Sequence, residues 1–227
     1  MKENNKVSVI YMLMAIAFSV ALITANFLET KVISLGPLSG TGGLLIFPIS
    51  YIINDCIAEV WGFKKTRLII WIGFFMNFIV MVFCRIAVAW PAPDYWEGAE
   101  AFNFVFGLAP RIMVASLVAF LVGSFLNAVV MSRMKVITSG KHFSLRAIVS
   151  TLAGESADSI IFFPLAFGGL MPIKELLGLM LVQVFLKTSY EIIILPITIR
   201  LVKYIKKKEE IDVYDTDISY NIFKWKN

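Results

Sequence analysis

Six ionisable side chains sit inside stretches that are otherwise apolar: Asp55, Glu59, Glu155, Asp158, Lys187 and Glu191. On an insertion scale each costs about 2.5–3.5 kcal/mol at the centre of a membrane helix. Exposing all six to lipid would therefore exceed the roughly 5–15 kcal/mol that holds a typical fold together. They must face one another, water or a ligand. Helical spacing sorts them into three stripes: Tyr51, Asn54, Asp55 and Glu59; Thr151, Glu155 and Asp158; Gln183, Lys187 and Glu191. Three polar stripes on three helices predict one shared interior cavity. Five acids against one lysine leave a surplus to be protonated, paired with Arg85 or Arg111, or satisfied by a ligand. A buried ion-pair network, with Lys187 paired to Glu191 one turn on, is the purely structural alternative.

The elements that must position these residues are membrane helices. Of 227 residues, 59% are hydrophobic and 16% charged, with a mean hydropathy of +0.80, which excludes a soluble globular domain. A helical crossing takes about 20 apolar residues. Such runs cover residues 7–26, 43–61, 68–90, 110–131, 147–167 and 173–202, giving an all-α integral membrane protein of six transmembrane helices. The first run is too long for a signal-peptide core and carries Ala15-Ile16-Ala17 in its middle, so it reads as a retained helix. Asp55, Asp158 and Lys187 each fall within about three residues of a span centre, roughly 5 Å along the axis. That is the depth at which transporters bind substrate.

Cations fall on alternate connections: Lys2 and Lys6; Lys64, Lys65 and Arg67; Arg133, Lys135, Lys141 and Arg146; Lys203, Lys206, Lys207 and Lys208. The opposite connections are poor in them, and the longest holds Asp94, Glu97 and Glu100. The positive-inside rule then puts both termini in the cytoplasm. The net charge of +5 belongs to this pattern, and no nucleic-acid partner is expected. Trp61, Trp90 and Tyr204 mark interfaces. Residues 1–204 form the transmembrane domain, and residues 205–227 read as a flexible cytosolic tail. The stripe Ala17, Ala21, Ala25 has small-xxx-small spacing, suited to internal packing or to a homo-oligomer or energising partner. Phe162, Phe163 and Phe167 read as core or lipid-facing residues.

Enzyme readings lack their parts. Cys56 and Cys84 lie in apolar runs and form no disulfide framework, and His142 alone cannot build a His-based metal site. Neither a metal nor a cofactor is expected. There is no His-Glu-x-x-His, no P-loop, and no histidine in a span to activate Ser124.

Five ordered segments carry a family resemblance: ANFLETK (25–31), FPISYIINDCIAEVWG (47–62), PRIMVASLVAFLVGS (110–124), STLAGESADSIIFFPLAF (150–167) and LKTSYEIIILP (186–196). Together they resemble the queuosine precursor transporter family, also called the vitamin uptake transporter or VUT family. The resemblance implies a six-helix protein of the bacterial inner membrane. Its expected cargo is 7-cyano-7-deazaguanine, 7-aminomethyl-7-deazaguanine or queuine. A guanine-like base presents adjacent N–H donors to a carboxylate and a carbonyl to Asn, Gln, Lys or Arg. The candidate binding set is therefore Asn26, Tyr51, Asn54, Asp55, Glu59, Arg111, Glu155, Asp158, Gln183, Lys187 and Glu191. The chain reads Gly123-Ser124 where the family pattern leads one to expect Gly-Gln. The family is also compared with substrate-binding subunits of energy-coupling-factor transporters, so a subunit needing a separate energising partner is the alternative reading.

Overall fold

The computed structural model describes residues 8–35, 38–107, 110–170 and 172–224. Lys2 and Lys6, which entered the orientation reading, lie outside them. Among the described residues the regular structure is helical except for one small hairpin. Helix α1 (Val9–Leu28) opens on Ser8, whose side chain accepts from the Tyr11 amide. Strands β1 (Val32–Leu35) and β2 (Leu38–Thr41) pair antiparallel with Val32 opposite Thr41, a hairpin the sequence reading did not foresee. A 3-10 turn, Gly42–Leu45, leads into α2 (Phe47–Ala89), which takes Pro48 in its first turn, where no amide partner is lost. The short α3 (Ala99–Phe106) follows, then α4 (Pro110–Ile137), α5 (Phe143–Phe167) and α6 (Ile173–Glu209).

Among the described residues five helices, α1, α2, α4, α5 and α6, are long and apolar enough to cross a membrane. Two of the expected runs, 43–61 and 68–90, lie on the one long helix α2, which is broken at Gly62 (φ 77°, ψ 175°). Contacts with α1 show that the chain reverses there. The Gly42 amide donates to the Lys31 carbonyl just past the end of α1, whereas Trp61 packs edge-on against Tyr11 near its start, with ring centroids 5.3 Å apart. Beyond Gly62 the path runs back: the Tyr11 hydroxyl donates to the Lys65 carbonyl at 3.0 Å, and Asn26 Nδ2 donates to Asn77 Oδ1 at 2.8 Å.

The later helices alternate in the same way. Ser116 of α4 meets Asn26 at one end, and Lys135 meets Glu59 at the other. On α5, Arg146 meets Glu59, while Gly168 just past its last turn accepts from Arg111. Helix α6 meets Glu155 through Lys187 and Glu59 through Lys206. The start of α1, the Gly62 break and the end of α6 therefore share one end of the bundle, here called the tail end.

Outward faces are apolar, and the ionisable side chains of the spans turn inward among a core that is itself largely apolar. Leu13, Ile16 and Val20 on α1, Phe83 and Ile86 on α2, and Leu181, Phe185 and Ile193 on α6 are exposed, while Asn54, Asp55, Glu59, Glu155 and Glu191 are buried. That inversion suits lipid as the surrounding solvent.

Two expectations change. In the small-residue stripe, Ala21 and Ala25 are buried within the chain while Ala17 is exposed, so two of its three residues pack internally. Trp61, expected at an interface, is buried against Tyr11.

Helix α6 continues to Glu209, past residue 205, the expected start of a flexible tail, and the described residues after it lie across the tail end. The Val213 amide donates to the Val60 carbonyl and the Phe63 amide to Asp215. Arg67 donates to the Asn221 carbonyl, and the Trp71 indole to the Ile222 carbonyl. Backbone groups make much of this docking, so no hydrophobic period announces it.

Gly62 combines a backbone conformation open essentially to glycine with close approach of the tail. A Cβ there would sit 2.7 Å from Asp215 Oδ1 and 2.8 Å from Val213 Cγ1. Gly62→Ala is expected to destabilise the protein by about 1–3 kcal/mol from the backbone alone, more with the clash, seen as a lowered unfolding temperature in detergent. An unchanged midpoint would show that the reversal at Gly62 is not needed.

Candidate functional site

Where α1, α4, α5 and α6 meet the start of α2, a cavity of about 60 Å3 opens between polar and aromatic walls, room for only a few waters. Asp158, Lys187 and Gln183 line one side, Asn26, Glu29 and Ser116 another, and Phe47, Phe162 and Phe163 supply flat apolar surface. The centrepiece is Lys187. Its Nζ lies 2.9 Å from Glu155 Oε2, 3.7 Å from Asp158 Oδ2, and 3.9 Å from the centroid of the Phe47 ring. A cation held by two carboxylates and a ring face is well compensated for burial. The Lys187–Glu191 ion pair that exemplifies the purely structural alternative is not what the structure shows: the lysine reaches across to α5 instead of along its own helix.

Glu191 turns to α2, within hydrogen-bonding reach of Asp55 and of Thr151. Ser150 donates to both Asp55 oxygens at 3.4 Å, and Asn127 lies beside them. Asn54 Nδ2 donates to Asn127 Oδ1 at 2.9 Å and to the Ser124 carbonyl at 3.2 Å. Tyr51 is buried with its hydroxyl unpartnered. This middle layer adjoins the cavity without lining it.

Glu59 belongs elsewhere. At the tail end Arg146 grips it with two hydrogen bonds, 2.6 and 3.1 Å, while Lys206 lies at 2.6 Å and Lys135 at 3.9 Å. Asp212 of the tail meets both lysines; burial opposes its charge, but hydrogen bonds from Lys135 and Lys206 outweigh this and hold its pKa below the usual carboxylate range. Arg111 is also away from the cavity wall. Its guanidinium is exposed and donates to the carbonyls of Pro164, Leu165 and Gly168, covering acceptors left free at the end of α5. Neither Arg85 nor Arg111 pairs with the interior acids; Arg146, Lys135 and Lys206 do so at Glu59.

Those three cations were missed because they read as connection charges that orient helices. Nothing in the α5 stripe pointed to Arg146, which at 3.6 residues per turn lies about half a turn round the helix from Glu155. Lys206 follows Glu191 by about four helical turns, on the same side of α6. Glu29, Ser116 and the aromatic walls carried no such signal.

Close approach of α4 and α5 sets the geometry. A Cβ on Gly123 would sit 2.9 Å from the Gly154 carbonyl, 2.8 Å from the Tyr51 hydroxyl and 3.0 Å from Asp158 Cβ. The paired glycines let the backbones meet and bring Tyr51 and Asp158 into the same layer.

Residues 41–201 match the family described as "Putative vitamin uptake transporter". The chain belongs to that family. It is 26% identical over 191 residues to a "Probable queuosine precursor transporter" of Bacillus subtilis strain 168, spanning 83% of each chain. A second protein of that name, from Haemophilus influenzae, is 29% identical over 128 residues, covering 56% of this chain and 52% of the other. No solved structure matches the chain significantly. As a member of the vitamin uptake transporter family the chain is a multi-pass membrane transporter, not an enzyme, and moves a small molecule.

Removing one partner of a buried ion pair typically costs about 3–5 kcal/mol. Arg146→Met is expected to approach that loss, since Lys206 and Lys135 only partly cover Glu59, whereas Arg111→Met, at an exposed site, loses less. Thermal unfolding of both variants in detergent tests the order, and equal midpoints would refute it.

Proposed function

We propose that this chain imports a 7-deazaguanine base, a queuosine precursor, across a bacterial inner membrane. Six helices span the bilayer in this reading, α2 supplying two of them through the reversal at Gly62. Both termini are cytoplasmic, because Lys64, Lys65, Arg67, Arg133, Lys135, Lys141, Arg146 and Lys203 gather at or beside the tail end.

The observation that carries the substrate reading is the Lys187–Glu155–Asp158 group on the wall of an aromatic-sided cavity. A deazaguanine needs a carboxylate for its adjacent N1–H and amine donors, a donor for its carbonyl, and flat surfaces for its faces. Asp158 or Glu155 offers the first, Lys187 or Gln183 the second, and Phe47, Phe162 and Phe163 the third. The names of the two relatives agree with this chemistry. A ligand entering would take over the partners that Lys187 now satisfies, so binding would exchange interactions without exposing any of these charges unpaired. Asn26, from its place on the cavity wall, would orient the base. The rival reading is a binding subunit that docks an energising partner through the alanine stripe, of which Ala17 is exposed.

Reconstitution of the purified chain alone in liposomes tests the reading. Labelled 7-cyano-7-deazaguanine is expected to enter beyond binding stoichiometry, and uptake that stops at stoichiometry would overturn solitary transport. Asp158→Asn is expected to weaken ligand binding by roughly tenfold or more, the loss of one charge-assisted hydrogen bond at about 1.5–3 kcal/mol, with little change in folding. Lys187→Met strands Glu155 and Asp158 and should destabilise the protein. Adding Glu155→Gln, which removes one of the two stranded charges, should recover part of the lost unfolding temperature without recovering uptake. Recovery of both would make Lys187 a structural residue only.

A further inference from the structure

Accounting for the buried acids leaves one pair without a cation. Glu59 is held by Arg146, Lys206 and Lys135, and Glu155 and Asp158 share Lys187. Among the described residues no cation forms an ion pair with Asp55 or Glu191, which are 0% and 2% exposed; Ser150 donates to Asp55 at 3.4 Å, and the two acids lie within hydrogen-bonding reach of each other, with Thr151 and the Asn127 amide beside them. Two carboxyl groups can hydrogen-bond to each other only through a proton, and two touching carboxylates in an apolar interior cannot both remain ionised. Beside them, the Tyr51 hydroxyl, on a residue 3% exposed, and Glu191 Oε2 have no hydrogen-bond partner. The position of Lys187 agrees. Glu191 is one turn along its own helix, a favourable spacing for an ion pair, yet the lysine is drawn to Glu155 and Asp158.

We propose that Asp55 and Glu191 form a proton-binding site whose occupancy is linked to ligand binding in the neighbouring cavity. The idea rests on the transport reading above for its ligand. With the proton in place, Glu191 does not compete for Lys187, which stays on the cavity wall where a base can use it together with Asp158. When the proton leaves, the pair becomes an uncompensated double anion, and Lys187 swings one turn toward it. That draws the lysine off the cavity wall, where a base would use it. Proton and base therefore bind together. The charged and titratable groups around the pair set its balance: Glu59, Tyr51 and Cys56 on α2, Glu155 and Asp158 on α5, and Lys187 on α6, with Glu29 beyond α1 acting on the lysine. Helix α4 contributes Asn127. A dehydrated divalent metal is a poorer occupant, since among the described residues no three His, Cys, Asp or Glu side chains converge as metal ligands.

Two measurements on the purified full chain test this. Infrared spectra of the wild type should show the carbonyl stretch of a protonated carboxyl, sensitive to deuterium exchange and absent in Asp55→Asn with Glu191→Gln. Absence of such a band in the wild type, or its survival in the double variant, overturns the site. The second is the affinity for 7-cyano-7-deazaguanine across a pH range in which the ligand does not titrate. A linked proton weakens wild-type binding by up to about tenfold per unit as pH rises, and the double variant, a permanent mimic of added protons, should bind without pH dependence. A flat wild-type profile, or one that responds to sodium instead of pH, overturns the linkage. If the ligand does not bind at all, the transport reading fails and the infrared band decides the proton site by itself. If the double variant does not fold, the wild-type band and slope decide.

Discussion

Everything in this fold answers to one constraint: charge buried in an apolar interior must be balanced where it lies. The acids of α2, α5 and α6 cannot reach bulk water, so each fixes a neighbour on another helix. Glu59 draws α4, α5 and α6 together through Lys135, Arg146 and Lys206. Lys187 ties α6 to Glu155 and Asp158 on α5. Helix packing in a membrane lacks the hydrophobic drive that assembles soluble bundles, and these polar links supply specificity in its place. Where they are saturated, as at Glu59, the result is a closed end. Where they leave room beside aromatic walls, as at Lys187, the result is a cavity.

The same constraint explains why the tail is not a passive extension. Asp212 adds a second anion to the two lysines around Glu59, and Asp215 receives the Phe63 amide just past the chain reversal, an amide that the broken helix leaves without its usual carbonyl. Gly62 serves both sides of that contact. It turns the chain, and its missing side chain makes space for Asp215 and Val213. A single glycine thus couples the reversal within α2 to the covering of the tail end.

The sequence showed the apolar runs, the three polar stripes and that Glu155, Asp158 and Lys187 turn inward together, because helical period and the cost of charge in lipid act locally and are readable residue by residue. It did not show which acid takes which cation. Lys187 has Glu191 one turn away, and only the distance across to α5 decides that Glu155 wins. Arg111 looked like a counter-ion from its nearness to a span, yet it serves carbonyls at the end of α5. Arg146 looked like an orienting loop charge, yet it is fully buried on Glu59. The hairpin at Val32–Thr41 and the docking of the tail depend on backbone hydrogen bonds, which leave little trace in side-chain periodicity.

The central claim is that Lys187, shared between Glu155 and Asp158, is the group a bound base engages. Nitrogen-15 magnetic resonance of the Lys187 Nζ, in the purified chain with and without saturating 7-cyano-7-deazaguanine, tests it most directly. The account predicts that the Lys187 signal shifts on binding as the base takes over its carboxylate partners. A ligand that binds while this resonance stays where it was would contradict it.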